Sequence, residues 1–137
     1  MDGQVKVLVA ALIQDTMRVL LTKHGPSGKW HLPDTDVRFG ETLAQAIERG
    51  FREDFGTGLT VLDSKPFGVA QVIDSAIGTH YVIHGLTALP DSWPTERTEG
   101  SLLVRTESVE IISAMRGEVL HSSIALIEQA FEIKFSQ

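Results

Sequence analysis

The hydrophobic pattern of the chain begins with strand-like runs and changes to helical spacing after residue 41. Residues 5–13 are rich in β-branched side chains, and residues 18–22 resume the pattern after a polar break, which predicts a β-hairpin. Residues 30–32 predict a short extended segment, because Pro33 keeps the preceding residue out of the helical region. From Glu41 onward the apolar residues recur at intervals of three and four, which predicts an amphipathic helix.

The ends of this helix also have sequence signals. Thr42 is a candidate N-cap, and Gln45 three residues later completes a capping-box pattern. Gly56 is a natural C-terminal stop, since glycine readily adopts the left-handed conformation that ends helices. The pattern therefore predicts one helix between Thr42 and Gly56.

The rest of the chain predicts strands followed by helices. The predicted strands are 59–62, 67–73 and 80–88, with a short one at 101–104 after a loop over 90–100. The predicted closing helices are 108–116 and 122–135. This order of strands, helix, strands and helices favours an α+β fold with a mixed β-sheet between helices. No repeat or linker divides the chain, so we expect a single domain over residues 1–137.

Composition and charge exclude several function classes. The net charge is −6 with no basic run, which disfavours binding of duplex nucleic acid, while a carboxylate-bound divalent cation would still permit a small phosphorylated ligand. There is no cysteine, so thiolate metal sites and cysteine nucleophiles are excluded. The longest apolar run, residues 7–13, is far shorter than the roughly 20 residues of a membrane span. With no signal-peptide pattern at the start, we expect a cytoplasmic protein without membrane partners.

Three segments in register carry the most informative motif. Residues 28–33 read GKWHLP, residues 39–42 read FGET, and residues 49–56 read RGFREDFG. Together they resemble the Nudix hydrolase signature, G-x5-E-x7-R-E-U-x-E-E-x-G-U with U apolar, and the W-x-L-P segment that commonly precedes it. The matching positions fall in register with no insertion, and the order of elements along the whole chain is also similar to the Nudix α/β/α sandwich.

This resemblance implies a hydrolase that cleaves the pyrophosphate linkage of a nucleoside triphosphate or another nucleoside diphosphate derivative. It implies Mg²⁺ or Mn²⁺ as cofactor, held by Glu53 and Asp54, which are also the implied catalytic residues, with Glu99 as a further metal ligand. The residues implied to position the loop and helix are Gly40, Glu41, Arg49 and Gly56. The implied partner is a small-molecule nucleotide, and a homodimer stays open because nothing in the sequence identifies an interface.

The chain departs from the signature at several positions, among them Thr57, which replaces the apolar residue at its end, and Asp54, which stands conservatively where it has its last glutamate. Asp34 and Thr35 stand where the family has glycines, and Gly50 stands where it has the first glutamate of the R-E-U-x-E-E segment. Positions 50, 53 and 54 are related by three and four residues, so they share one face of a helix. Only two of the three carboxylates implied for that face therefore remain. The alternative hypothesis is a catalytically impaired Nudix fold that binds a nucleotide or a protein partner.

Candidate substrate contacts lie before the motif and within its first segment. Lys23 and His24 end a predicted strand, where they would reach a phosphate or base or simply lie on the surface. Trp30 and Leu32 are candidates for the nucleotide pocket, with a core position as the alternative for Trp30.

The spacing of two histidines resembles that of a zinc site on a helix, but the local pattern argues against such a site. His80 and His84 are four residues apart, but the surrounding pattern predicts a strand, where that spacing is about 13 Å. A single ion cannot be held across that distance.

Overall fold

The computed structural model describes residues 3–25, 28–97 and 101–135, and it builds them into two sheets and three α-helices. The strands are β1 (Gln4–Leu12), β2 (Gln14–Asp15), β3 (Arg18–His24), β4 (Asp34–Asp36), β5 (Leu59–Val61), β6 (Gly68–Asp74), β7 (Thr79–Pro90) and β8 (Leu102–Ser108). The helices are α1 (Leu43–Phe55), α2 (Val109–Ala114) and α3 (His121–Phe131), with one 3₁₀ turn at Arg116–Glu118.

The larger sheet is mixed and centred on β1 and β7. Its order is β4-β1-β7-β5, and β6 pairs with another stretch of the same edge of β7. Strand β1 pairs in parallel with β7 over nine positions and antiparallel with β4 over three. The smaller sheet has the order β2-β3-β8. The predicted α+β fold with a mixed sheet between helices is confirmed.

The predicted pairing of residues 5–13 with 18–22 is wrong. Both edges of β1 are occupied by β4 and β7, so the chain passes at Ile13 into the second sheet, and the hairpin forms between β2 and β3 instead. Its turn contains Thr16 and Met17, both with positive φ values, of 52° and 67°. Such a two-residue turn has the twist that joins antiparallel strands.

Helix α1 begins and ends where the sequence predicts. The Thr42 hydroxyl accepts a hydrogen bond from the backbone of Gln45, whose side chain accepts one from the backbone of Thr42 in return. Gly56 ends the helix in the left-handed conformation, with φ of 70°. The final helix α3 ends four residues earlier than predicted, because Glu132 adopts the left-handed conformation, with φ of 53°.

Two apolar clusters fix the helices on opposite faces of the larger sheet. Alternate residues of β1 belong to different clusters: Val9 and Ala11 face α1, whereas Ala10 and Leu12 face α3. From α1 the buried apolar side chains are Ala46, Ile47 and Phe51. From α3 they are Leu126 and Ile127. Within the described residues, no helix has the length and hydropathy needed to cross a membrane.

Replacing Thr42 with Ala tests the capping box. The variant loses the acceptor for the Gln45 backbone N–H, so the free energy of unfolding should fall by about 1 kcal/mol. Urea denaturation measures this change. Thr42→Ser keeps the hydroxyl and should lose less than half as much; an equal loss in both variants would contradict a capping role.

Candidate functional site

An ion pair between Glu41 and Arg49, which we call the Glu41–Arg49 clamp, joins the loop before α1 to the helix itself. Arg49 Nε lies 2.8 Å from Glu41 Oε2, and Arg49 Nη2 lies 3.0 Å from Glu41 Oε1. The Glu41 carboxylate also accepts a hydrogen bond from the Arg38 backbone at 3.0 Å. The bond from Arg49, followed by that from the Arg38 backbone, lowers the pKa of Glu41 to about 2.

Arg49 makes two further contacts that extend this clamp. Its Nη2 donates to the backbone oxygen of Asp36 at 2.9 Å, at the end of β4. Its Nη1 donates to Glu53 Oε1 at 3.2 Å, one helical turn onward. The pKa of Arg49 is raised, first by the bond to Glu41, so the guanidinium stays charged. One cation thus connects strand β4, the loop and the exposed face of α1.

Glu53 and Asp54 both lie on the solvent-exposed side of α1. The Glu53 carboxylate is already paired, with Arg49 at 3.2 Å and with Arg38 at 3.8 Å. Its side chain is about half exposed, so these pairs are screened by water. The face predicted to hold a metal therefore carries one carboxylate bound to two guanidinium groups, beside Asp54.

Position 50 on the same helix is buried against β4. A Cβ atom built on Gly50 would lie 2.6 Å from Cβ, 2.7 Å from Oγ1 and 2.9 Å from Cγ2 of Thr35. These separations are shorter than van der Waals contact, so α1 approaches β4 this closely only because residue 50 has no side chain. Two of the departures from the signature are thus in direct contact.

Asp34, which precedes Thr35 in β4, lines an apolar cavity on the opposite face of the sheet. Burial raises the pKa of its carboxyl; the nearby imidazoles of His31 and His24 oppose that rise, and the negative charge of Asp54 adds to it. Asp34 Oδ2 lies 3.7 Å from His31 Nδ1. Of these influences on the pKa of Asp34, burial is the largest and the charge of Asp54 the smallest.

The cavity has a volume of about 320 Å³ and mainly apolar walls. Beside Asp34, its lining residues are Leu8, Val72, Tyr81, Ile83, Leu120, His121 and Ser122. Small-molecule sites of this size are typically apolar with a few polar groups that orient the ligand. The sequence analysis missed these lining residues, although the alternation along β1 places Leu8 on the same face as Ala10. No local signal brings that face together with the start of α3.

The predicted substrate contacts take different positions. Leu32 has no exposed surface and Trp30 is 8% exposed, so both pack in the core and neither lines the cavity. The Trp30 ring is covered by Lys23 Nζ, 5.3 Å from its centroid. His24 stacks on His31, with 5.3 Å between ring centroids. The roles of Lys23, His24, Trp30 and Leu32 as substrate contacts stay predictions, and Glu99 lies outside the described residues.

His80 and His84 both lie on strand β7, as the sequence pattern predicts. The His80 ring nitrogen Nε2 is 2.8 Å from Gln71 Oε1 on the neighbouring strand. Throughout residues 3–25, 28–97 and 101–135, no three His, Asp or Glu side chains are grouped so that they would hold a metal ion.

Comparison with solved structures shows the fold. No protein-family model and no curated protein matches the chain by sequence. A MutT protein from Methanosarcina mazei Go1 is 17% identical with a TM-score of 0.78, covering 96% of each chain. A Nudix hydrolase from Nitrosomonas europaea is 22% identical with a TM-score of 0.74, covering 93% of this chain and 88% of its own. A MutT Nudix hydrolase from Burkholderia pseudomallei is 24% identical with a TM-score of 0.72, covering 93% and 98%. The chain therefore has the Nudix hydrolase fold.

Replacing Glu41 with Gln tests the clamp through pH. A carboxyl whose pKa falls from its ordinary value of 4.5 to about 2 on folding stabilises the protein above pH 4.5, and this contribution disappears as pH falls towards 2. We expect Glu41→Gln to be less stable than the native chain at pH 6 and the difference to shrink between pH 4.5 and 2. Chemical denaturation at a series of pH values measures it; a constant difference would contradict the pairing.

Replacing Gly50 with Ala tests the contact with Thr35. Alanine favours a helix by about 1 kcal/mol over glycine, but overpacking typically costs about 1–3 kcal/mol, so we expect a net loss of stability. In a Thr35→Gly background, where the clashing atoms are absent, the same substitution should be stabilising. Thr35→Ala is the matched control, because it keeps the Cβ that lies 2.6 Å away. Equal effects of Gly50→Ala in all three backgrounds would contradict the contact.

Proposed function

We propose that this protein is a nucleotide-binding module with a Nudix fold, which recognises the nucleoside part of its ligand in the cavity between β1, β7 and α3. The observation that carries the proposal is the apolar cavity of about 320 Å³ whose lining includes the Asp34 carboxyl. A second candidate is hydrolysis of the pyrophosphate linkage.

The chemistry of the cavity suits a nucleobase. Leu8, Ile83 and the ring of Tyr81 form an apolar wall against which a planar heterocycle gains dispersion and hydrophobic contact. Asp34 and Ser122 supply polar atoms for hydrogen bonds to the base edge or the ribose. A carboxyl with a raised pKa is more readily protonated, and in that form it both donates and accepts.

One structurally similar protein has a name that indicates a class of substrate. One similar structure is a UDP-X diphosphatase, 14% identical with a TM-score of 0.71, covering 96% of this chain and 65% of its own. Its name describes a nucleoside diphosphate derivative. We therefore extend the proposal to nucleoside diphosphate derivatives as well as nucleoside triphosphates.

Hydrolysis is supported by a different observation. The Glu41–Arg49 clamp is intact, and Glu53 and Asp54 remain next to each other on the exposed face of α1. In this function Glu53 and Asp54 would hold Mg²⁺ or Mn²⁺, which would supply charge neutralisation and an activated water. Against it, the Glu53 carboxylate is bound by two arginines and position 50 has no carboxylate. Binding without turnover therefore has the better support.

The experiment compares two tryptophan variants on strand β6. Val72 lines the cavity, whereas Val69 lies on the opposite face of the sheet, and their side chains are similarly exposed, at 37% and 42%. Melting temperatures are measured with nucleoside mono-, di- and triphosphates and a nucleoside diphosphate sugar, each in EDTA and in Mg²⁺. A ligand at 100 times its Kd should stabilise the native chain by about 2.7 kcal/mol.

We expect stabilisation in EDTA that Val72→Trp abolishes and Val69→Trp retains. Phosphate and pyrophosphate release are measured on the same samples, and we expect none from the native chain. If no nucleotide stabilises the protein, or if both tryptophan variants respond like the native chain, the proposed binding site is wrong. Turnover that requires Mg²⁺ or Mn²⁺ and disappears in Glu53→Gln would establish the hydrolase instead.

A further inference from the structure

Thr35 and Gly50 are fifteen residues apart in the chain, yet they form one contact between β4 and α1. Each stands where the resemblance to the Nudix signature implies a different residue: glycine at position 35 and glutamate at position 50. A threonine at 35 and a glycine at 50 are complementary in size, and so would be a glycine and a glutamate. The mixed combination of threonine and glutamate places two side chains in one space.

Both β4 and α1 are held in place at this contact by their packing. Thr35 lies in the ladder between β4 and β1, opposite Val9, whose side chain is fully buried. On the helix, Ala46, Ile47 and Phe51 are at most 1% exposed and hold α1 against the sheet. The atom nearest to a Cβ at position 50 is the Cβ of Thr35 itself, which no rotation of the Thr35 side chain moves.

The described residues of this helix face do not fit the divalent-metal site that the fold implies. Positions 50, 53 and 54 share a helix face, but position 50 offers no ligand, and the Glu53 carboxylate is paired with Arg49 and Arg38. Mg²⁺ is usually held by carboxylate oxygens together with substrate phosphates. Among the described residues, this face offers the carboxylates of Asp54 and Glu53, and Glu53 is already paired, so the face is a poor start for such a site.

We propose that Thr35 excludes a carboxylate from position 50 of α1, and with it the metal site of this helix face, so that metal binding requires both positions to change together. The inference rests on the proposed Nudix-type site but not on recognition of a nucleotide in the cavity. The two proposals are therefore separable by measuring the binding of metal alone.

The experiment measures Mn²⁺ binding, by electron paramagnetic resonance and calorimetry, without any nucleotide. The variants are Gly50→Glu alone and Gly50→Glu combined with Thr35→Gly or with Thr35→Ala. We expect the Thr35→Gly combination to bind Mn²⁺ at least about tenfold more tightly than the native chain. The Thr35→Ala combination keeps the obstructing Cβ and should behave like Gly50→Glu alone, either folding poorly or binding no better than the native chain.

Gly50→Gln, with and without Thr35→Gly, distinguishes the steric effect of a side chain at position 50 from the effect of its negative charge. We expect Thr35→Gly to raise the melting temperature of Gly50→Gln by about 3 °C or more, while neither glutamine variant gains Mn²⁺ affinity. The proposal is overturned if the native chain or Gly50→Glu alone binds Mn²⁺ as tightly as the Thr35→Gly combination. It is also overturned if Thr35→Gly and Thr35→Ala have the same effect on Gly50→Gln stability, whether or not the glutamate variants fold.

Discussion

The close approach of α1 to β4 is the constraint from which the site follows. Burial of Ala46, Ile47 and Phe51 draws the helix onto the sheet, and the absence of a side chain on Gly50 allows it to reach Thr35. The same approach brings Arg49 within reach of the Asp36 backbone. The packing that fixes the helix therefore also determines which carboxylates its exposed face presents. Moving α1 away from the sheet to admit a side chain at position 50 would break more core contacts than that side chain would form.

Local signals predicted the helix and its ends. Thr42, Gln45 and Gly56 act through hydrogen bonds and backbone conformation within one or two turns, so their effect is readable from the sequence alone. The spacing from Glu41 to Arg49 likewise spans the loop and two turns of one helix. The positions of β6 and β7 were also predictable, because each is a strand-like run bounded by turn residues. No such pattern predicted β4.

Contacts between residues far apart in the chain could not be predicted from such local signals. Whether residues 5–13 pair with 18–22 depends on what else competes for the edges of β1, and β4 and β7 occupy both. The cavity arises because Leu8, Tyr81 and Leu120 come from three distant segments. The contact of Thr35 with Gly50 is of the same kind. In the sequence these are two separate departures from a signature, and only the packing of α1 on β4 shows that they are one change.

Charged groups lie on both faces of the larger sheet. Arg38 and Arg49 pair with Glu53 on the helix, whereas the pKa of Asp34, which lines the cavity, is raised chiefly by burial and also by the negative charge of Asp54. In a protein of net charge −6, a phosphate brought to this helix without a cation meets repulsion. In the proposed function, the affinity for a nucleotide would then come mainly from the apolar wall of the cavity. Such a site would select its ligand by the base and tolerate variation in the phosphate chain, which is the reverse of a site organised around a metal.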